Sequence, residues 1–416
     1  MVWVRQPTSI CSAAFLLLEV AFTGTAAQGT ETVLYTFRGG ADGSLPAAGL
    51  VADTAGNLFG TTYFGGGGAC GPGRCGTVFE LAPTGSETVL YAFKGDRDGA
   101  LPQGGLVADE SGNYYGATSQ GGASASGTVF KLAPDGTETV LHVFKGGKDG
   151  YYPAGDLTAD NKGNLYGTTE FGGHMDVSEC NYDGCGTVFE IKPGGTKTGL
   201  HAFRGGNDGI EPTAGVISDG NGNLYGTTSG GGGVNCATGC GTVFKIGPDG
   251  TETVLYAFQG GSDGSEPVAG LTMDIGGNVY GTTSYGGAGG ANCPEGTLGC
   301  GTVFKVAPDG TETILYAFQG GSDGWSPYAG VIADKQGNIY GTTYFGGGTG
   351  CAHNTGCGLV FKLAPDGKET VLYAFQGGSD GGLPDAPLLA GKNGVLDGTA
   401  TTGGTNDNGV VFSVKK

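Results

Sequence analysis

The sequence predicts an all-β fold, a seven-bladed β-propeller with four antiparallel strands per blade. Three observations lead there. First, Leu-Tyr-Thr-Phe at 34–37 returns in closely related form at 90–93, 141–144, 200–203, 255–258, 315–318 and 372–375, at spacings of 51 to 60 residues. A period of that size marks one supersecondary unit repeated. Second, each unit holds four short runs rich in β-branched or aromatic residues, bounded by Gly, Pro, Asp or Asn. Third, the runs are mostly apolar on both faces, as strands covered by neighbouring blades require. No 3.6-residue periodicity is present, which excludes helical solenoids. A β-solenoid would have a shorter repeat and fewer turns.

Residues 46–93 show the unit. Strand a covers 48–53 and lies nearest the central axis. Strand b covers 56–62, strand c 76–81 and strand d 87–93. The a–b turn, Asp53-Thr54-Ala55-Gly56-Asn57, offers an Asp that can bond its own backbone and a Gly for positive φ. The c–d turn reads Ala-Pro-Asp-Gly at 133–136, 307–310 and 364–367, with Pro and Gly where tight turns favour them.

The chain opens with a d-type strand, 31–37, and ends with a c-type strand, 409–414. The last blade has strands a (386–390), b (393–399) and c, but lacks a d strand of its own. The N-terminal strand is expected to complete it, closing the ring and covering an edge that would invite aggregation. Strand alternation puts the b–c loops and the d–a loops on one face. The b–c loops are long, variable and glycine-rich, and carry the cysteine pairs; the d–a loops carry Asp-Gly-x-x-Pro. Variable loops on a rigid scaffold are where function concentrates.

The first 27 residues differ from the rest. Arg5 precedes an apolar stretch from Ile10 to Phe22, interrupted by Glu19, and Thr25-Ala26-Ala27 has the form of a cleavage site. This predicts a secretory signal peptide (1–27) and one propeller domain (28–416). No later segment is long and apolar enough to span a bilayer. The mature protein is expected to be secreted and monomeric. Its formal charge of −19 argues against nucleic-acid binding, which needs a basic footprint. It leaves cationic partners and divalent metals open.

Cys11 falls in the signal peptide. The other ten cysteines form five close pairs: Cys70/Cys75, Cys180/Cys185, Cys236/Cys240, Cys293/Cys300 and Cys351/Cys357. Even count, local pairing and an export signal predict disulfides, each stapling one short loop. A zinc site wants four convergent ligands, and each pair belongs to a different repeat.

The repeated Gly-Asn-Leu-Tyr-Gly-Thr-Thr, Gly-Thr-Val-Phe-Lys, Ala-Pro-Asp-Gly, Leu-Tyr-Ala-Phe and Asp-Gly-x-x-Pro resemble the GloVer tandem repeat of exported bacterial choice-of-anchor proteins, over residues 31–416. The resemblance implies export and a repeat architecture. Residues 160–166 are also similar to an NHL-type propeller blade.

Several residue sets could carry chemistry. Asp42, Asp98, Asp149, Asp208, Asp263, Asp323 and Asp380 open every Asp-Gly-x-x-Pro loop. They cap their own turns, or they form a carboxylate ring suited to calcium. No other cofactor is expected. His142 and His201 occupy a slot otherwise held by Tyr and read as packing residues. His174 and His353 have no counterparts in the repeat. His174, with Glu170, Asp176 and Glu179 nearby, is a candidate acid–base or metal cluster, against the plainer reading of a solvated loop histidine. No Gly-x-Ser-x-Gly elbow is present.

Aromatics on the loop face are the stronger signal. Tyr63, Phe64, Phe171, Tyr285, Tyr344 and Phe345 follow the Gly-Thr-Thr runs, and Tyr151, Tyr152, Trp325 and Tyr328 stand in the Asp-Gly-x-x-Pro loops. Flat rings beside carboxylates and amides suit sugars; the alternative is that they pack beneath glycine-rich loops. Three functions fit: an exported binding module for carbohydrate or a surface protein, a propeller lyase or hydrolase, and a structural envelope protein. The first leads, because the variable face has aromatics and no convincing catalytic constellation.

Overall fold

Each blade is built around its c strand, whose Thr-Val-Phe-x-Leu pattern buries every residue but the fourth. The b strand beside it is buried along almost its whole length, and the outer d strand is half-exposed. The computed structural model describes residues 29–67, 70, 75–180, 182–233, 235–287, 293, 299–347, 351 and 355–416. The expected signal peptide and His353 lie outside the described residues. Seven sheets form the ring, and all pairs within the a–b–c–d order are antiparallel. Blade 1 comprises Val51–Ala52, Leu58–Thr62, Thr77–Leu81 and Glu87–Ala92. Blade 3 departs from it with a nine-residue a strand, Tyr151–Ala159. Blade 4 gains a two-residue strand, Gly231–Gly232, parallel to its c strand.

The ring closes as expected. Blade 7 is Leu389–Ala390, Val395–Ala400, Val410–Lys415 and, as its fourth strand, Glu31–Thr36. Glu31 pairs with Val414 and Thr36 with Val410.

The same contact fastens every blade to the next. The Phe that ends each d strand lies edge-on to the Phe of the next c strand, with ring centres 5.0 to 5.3 Å apart. Phe37 on Phe79 and Phe375 on Phe412 make the closing joints on either side of blade 7. This explains the Gly of the Gly-Thr-Thr run. A Cβ on Gly60 would stand 2.8 Å from the Phe79 ring, and one on Gly226 2.5 Å from Phe244. The first Thr of the run stitches blades together: Thr61 donates to the Gly104 carbonyl at 3.1 Å and Thr227 to Ala269 at 3.0 Å.

Carboxylates line the outer joints. The Glu opening each d strand faces the loop Asp of the preceding blade, and burial first, then that Asp, pushes Glu31, Glu138, Glu312 and Glu369 up to about 7. Blade 3 differs. Lys197 replaces the Glu and bonds the Asp149 carboxylate at 2.9 Å, with only 8% of its side chain exposed. Burial alone would raise Asp149, but Lys197 holds its carboxyl below the usual range.

All five cysteine pairs are disulfides, with Cα atoms 5.2 to 5.5 Å apart. The pairs lie between the b and c strands as expected, and their second members reach the core. Cys75, Cys185, Cys240, Cys300 and Cys357 are each 0% exposed. Each packs in a hydrophobic cluster with the Val of its own c strand and the Phe that ends its d strand, as Cys75 does with Val78 and Phe93. The cause is position: each stands immediately before the Gly that leads into a c strand buried at all but its fourth residue. Cys180 is buried with its partner, whereas Cys70, Cys236, Cys293 and Cys351 remain partly exposed. Each bridge therefore pins a surface loop to the blade interior, and its buried sulfur is closed to any ligand. The disulfides fit an oxidising compartment. No helix among the described residues is long and apolar enough to cross a membrane.

Candidate functional site

The seven loop aspartates serve the scaffold. Asp42 accepts the Tyr35 hydroxyl at 2.6 Å and the Arg38 N–H at 2.6 Å. Asp98, Asp263, Asp323 and Asp380 repeat both bonds. Asp149 and Asp208 take a His ring nitrogen in place of the hydroxyl, at 3.2 and 3.1 Å. The donors are His142 and His201, which pack edge-on against Phe144 and Phe203 as expected. Among the described residues, no three His, Cys, Asp or Glu side chains gather in a metal-binding group.

The loop aromatics pair with one another. Trp325 stacks on Phe345 with ring centres 4.1 Å apart, and Tyr151 on Phe171 at 5.3 Å. Tyr63 meets Phe64, and Tyr344 meets Phe345, edge-on. The stacks arise because the residue after each Asp-Gly bridges to the second residue past the b strand, as in Trp325 with Phe345 and Ser265 with Tyr285. All of these loop aromatics are half-buried.

The sequence-proposed histidine cluster divides. Arg204 donates to His174 at 3.2 Å, Asp176 lies 4.0 Å from the ring, and Glu179 accepts the Gly206 N–H at 2.7 Å. Glu170 instead faces Glu211, from the next blade.

That pair belongs to a ring of side chains around the mouth of the central channel. Two slots supply most of it: the residue just past each b strand and the residues flanking each loop Pro. Going round, Tyr63 meets Tyr152 and Gln103, and Gln120 donates to the Tyr152 hydroxyl at 3.0 Å. Glu170 faces Glu211, which faces Glu266. Tyr328 stands between Glu266 and Tyr344, its hydroxyl 3.4 Å from that of Tyr285. Tyr344 adjoins Asp385. Burial, then the charge of Glu211, pushes Glu170 up to about 7 and raises Glu266. Burial alone pushes Asp385 up to about 7.

Below the mouth the a strands enclose a cavity of about 410 Å³. They come this close because the third residue after each loop Pro is Gly49, Gly105, Gly215, Gly270 or Gly330 in five blades. A Cβ on Gly215 would stand 1.9 Å from the Asp156 carbonyl oxygen. Blade 3 carries Asp156 in that slot, and blade 7 carries Pro387. Asp156 Oδ1 accepts the Gly105 N–H at 2.6 Å. The side chain is open to channel water yet walled by protein, and this enclosure raises its carboxyl, with the Gly105 bond opposing.

Of the ring, sequence reading singled out Tyr63, Tyr152, Glu170, Tyr285, Tyr328 and Tyr344, but missed Gln103, Asp156, Glu211, Glu266 and Asp385. Their signal was present as departures from the repeat. Glu precedes the loop Pro only at 211 and 266, and Asp follows it only at 385.

These features define a closed propeller with an acidic, tyrosine-lined axial site. The chain belongs to the Gloeobacter/Verrucomicrobia repeat family, which it matches over residues 20–180 and 177–412. No curated protein matches it. A fungal alcohol oxidase, solved in complex with copper, is similar at 14% identity and a TM-score of 0.50, covering 93% of this chain and 75% of that one. A luciferin-regenerating enzyme is similar at 13% identity and a TM-score of 0.42, covering 75% and 90%. The first likeness is one of fold.

Proposed function

We propose that this protein is an exported binding module, cleaved near Ala27, whose ligand is a carbohydrate seated over the channel mouth. The observation that carries this reading is that Tyr63 with Tyr152, and Tyr328 with Tyr344, meet beside carboxyls and amides above an axial cavity lined by Tyr328, Gln103 and Asp385. Rings for the C–H faces of a sugar and polar groups for its hydroxyls are what such a ligand needs. The stacked loop aromatics then act as walls, since their faces cover one another. The test is a broad glycan array probed with wild type and Tyr328→Ala. A confined set of positive glycans, lost in Tyr328→Ala, supports the reading. No glycan bound turns the search to surface proteins.

A second reading, a lyase or hydrolase, is favoured by one observation. The Glu170 carboxyl sits near 7 beside Glu211, in the range suited to a general acid. Release of new reducing ends from an array-positive glycan, abolished by Glu170→Gln, would establish it.

A further inference from the structure

The cavity beneath the mouth has an unbalanced charge. Asp156 and Asp385 line it and, among the described residues, no Lys, Arg or His does. Among the described residues, no cationic side chain acts on either carboxyl. Asp156 receives a single neutral donor, the Gly105 N–H. Asp385 Oδ1 is shut off from solvent and has no hydrogen-bond partner among the described residues. An enclosed carboxylate such as that of Asp385 is costly without a countercharge, and it either keeps its proton or meets a cation.

Blade 3 is also rebuilt to place one of these charges. Where five blades have glycine, Asp156 stands among the crowded a strands, and the preceding Gly155 takes φ +69°. Above it, Glu170, Glu211 and Glu266 carry the same sign to the mouth. Tyr328 and Tyr344 add aromatic rings, which favour cations over anions.

We propose that the ligand of the axial site carries a protonated amine, held in the channel by Asp156 and Asp385. The sugar of this kind is an amino sugar with its nitrogen unacetylated. That sugar identity rests on the carbohydrate reading above; the positive charge does not. An ammonium supplies three donors and the missing countercharge.

The test is titration calorimetry with four probes: a deacetylated chito-oligosaccharide, its N-acetylated equivalent of the same length, spermidine and calcium chloride. Wild type is compared with Asp156→Asn, which keeps an acceptor for Gly105 while deleting the charge, and with Asp385→Asn. Thermal melting confirms that each variant folds, and either variant suffices. The expected result is binding of the deacetylated oligosaccharide about tenfold or more tighter than the acetylated one, weakened about tenfold or more by loss of either charge. Equal affinity for both oligosaccharides overturns the inference and leaves the carbohydrate reading standing. Spermidine binding alone, lost in either variant, upholds the ammonium and overturns the sugar. Calcium binding alone, or no binding at all, overturns the inference.

Discussion

One strand position carries opposite charges in different blades, and swapping it for an apolar residue should have opposite effects. Lys197 opens the d strand of blade 3 and Glu312 that of blade 5; both face a loop Asp of the preceding blade. In Lys197→Met the nearly buried ion pair with Asp149 loses its cation. Breaking such a pair costs about 3–5 kcal/mol, and the partial exposure of Asp149 points to about 3. In Glu312→Met a carboxyl pushed from 4.5 to about 7 disappears. At about 1.4 kcal/mol per pH unit the penalty removed is at most ~3 kcal/mol. Glu312 is partly exposed, so screening reduces it to about 1. The sign follows from the raised pKa. Stability is fully present below about 4.5, where Glu312 is protonated folded or unfolded. It is lost as pH rises through 7, because the folded state holds a proton that the unfolded state releases. The gain from Glu312→Met should therefore appear at pH 8 and vanish near pH 5. With roughly 2 cal/mol/K of unfolding entropy per residue over about 390 residues, 1 kcal/mol moves Tm by about 1 °C. Calorimetric melting at pH 8 should show a fall of about 4 °C for Lys197→Met and a rise of about 1 °C for Glu312→Met. Shifts of the same sign at pH 8, or a Glu312→Met gain as large at pH 5, would refute the reasoning.

Two further expectations concern the scaffold. Phe37→Ala should cost about 3–5 kcal/mol in urea unfolding, as much as Phe93→Ala, because both rings are fully buried in equivalent blade joints; a much smaller cost for Phe37 would mean that the N-terminal strand is not an integral part of the ring. Gly215→Ala should destabilise by more than about 1–3 kcal/mol, since its Cβ would meet backbone that cannot move aside. Gly194→Ala, with open space around it, should be near neutral in the same melt.

Much of this architecture was readable in the sequence because a repeat states each rule seven times. The period, the turn chemistry of Asp53 with Asn57 and the unmatched d strand at 31–37 each have local causes. Asp53 accepts the Gly56 and Asn57 N–H groups at 2.7 and 2.9 Å, a contact decided within five residues. The disulfides were legible for the same reason, since each closes a loop of four to seven residues. The depth of their second sulfurs was not, because Cys357 is buried by Phe375 and Phe412, which come from other parts of the chain. The candidate site was less legible. Loop aromatics such as Trp325 and Phe345 looked available in the chain, yet the bridge between their strands stacks each on the other.

Sequence by itself determined what repetition and local chemistry can settle: seven four-stranded units, their turns, the cysteine pairs and the closing strand. Only tertiary structure decided which carboxyls matter. Glu170, Glu211 and Asp385 are separated by 41 and then 174 residues of chain, and they gather at one mouth because the ring brings their blades to a common axis. Asp156 is one letter out of place in a run of glycines until the crowding of the a strands sets it against neighbouring backbone at the wall of the axial cavity. Charge acts through space, and closure of the ring sets the distances over which it acts.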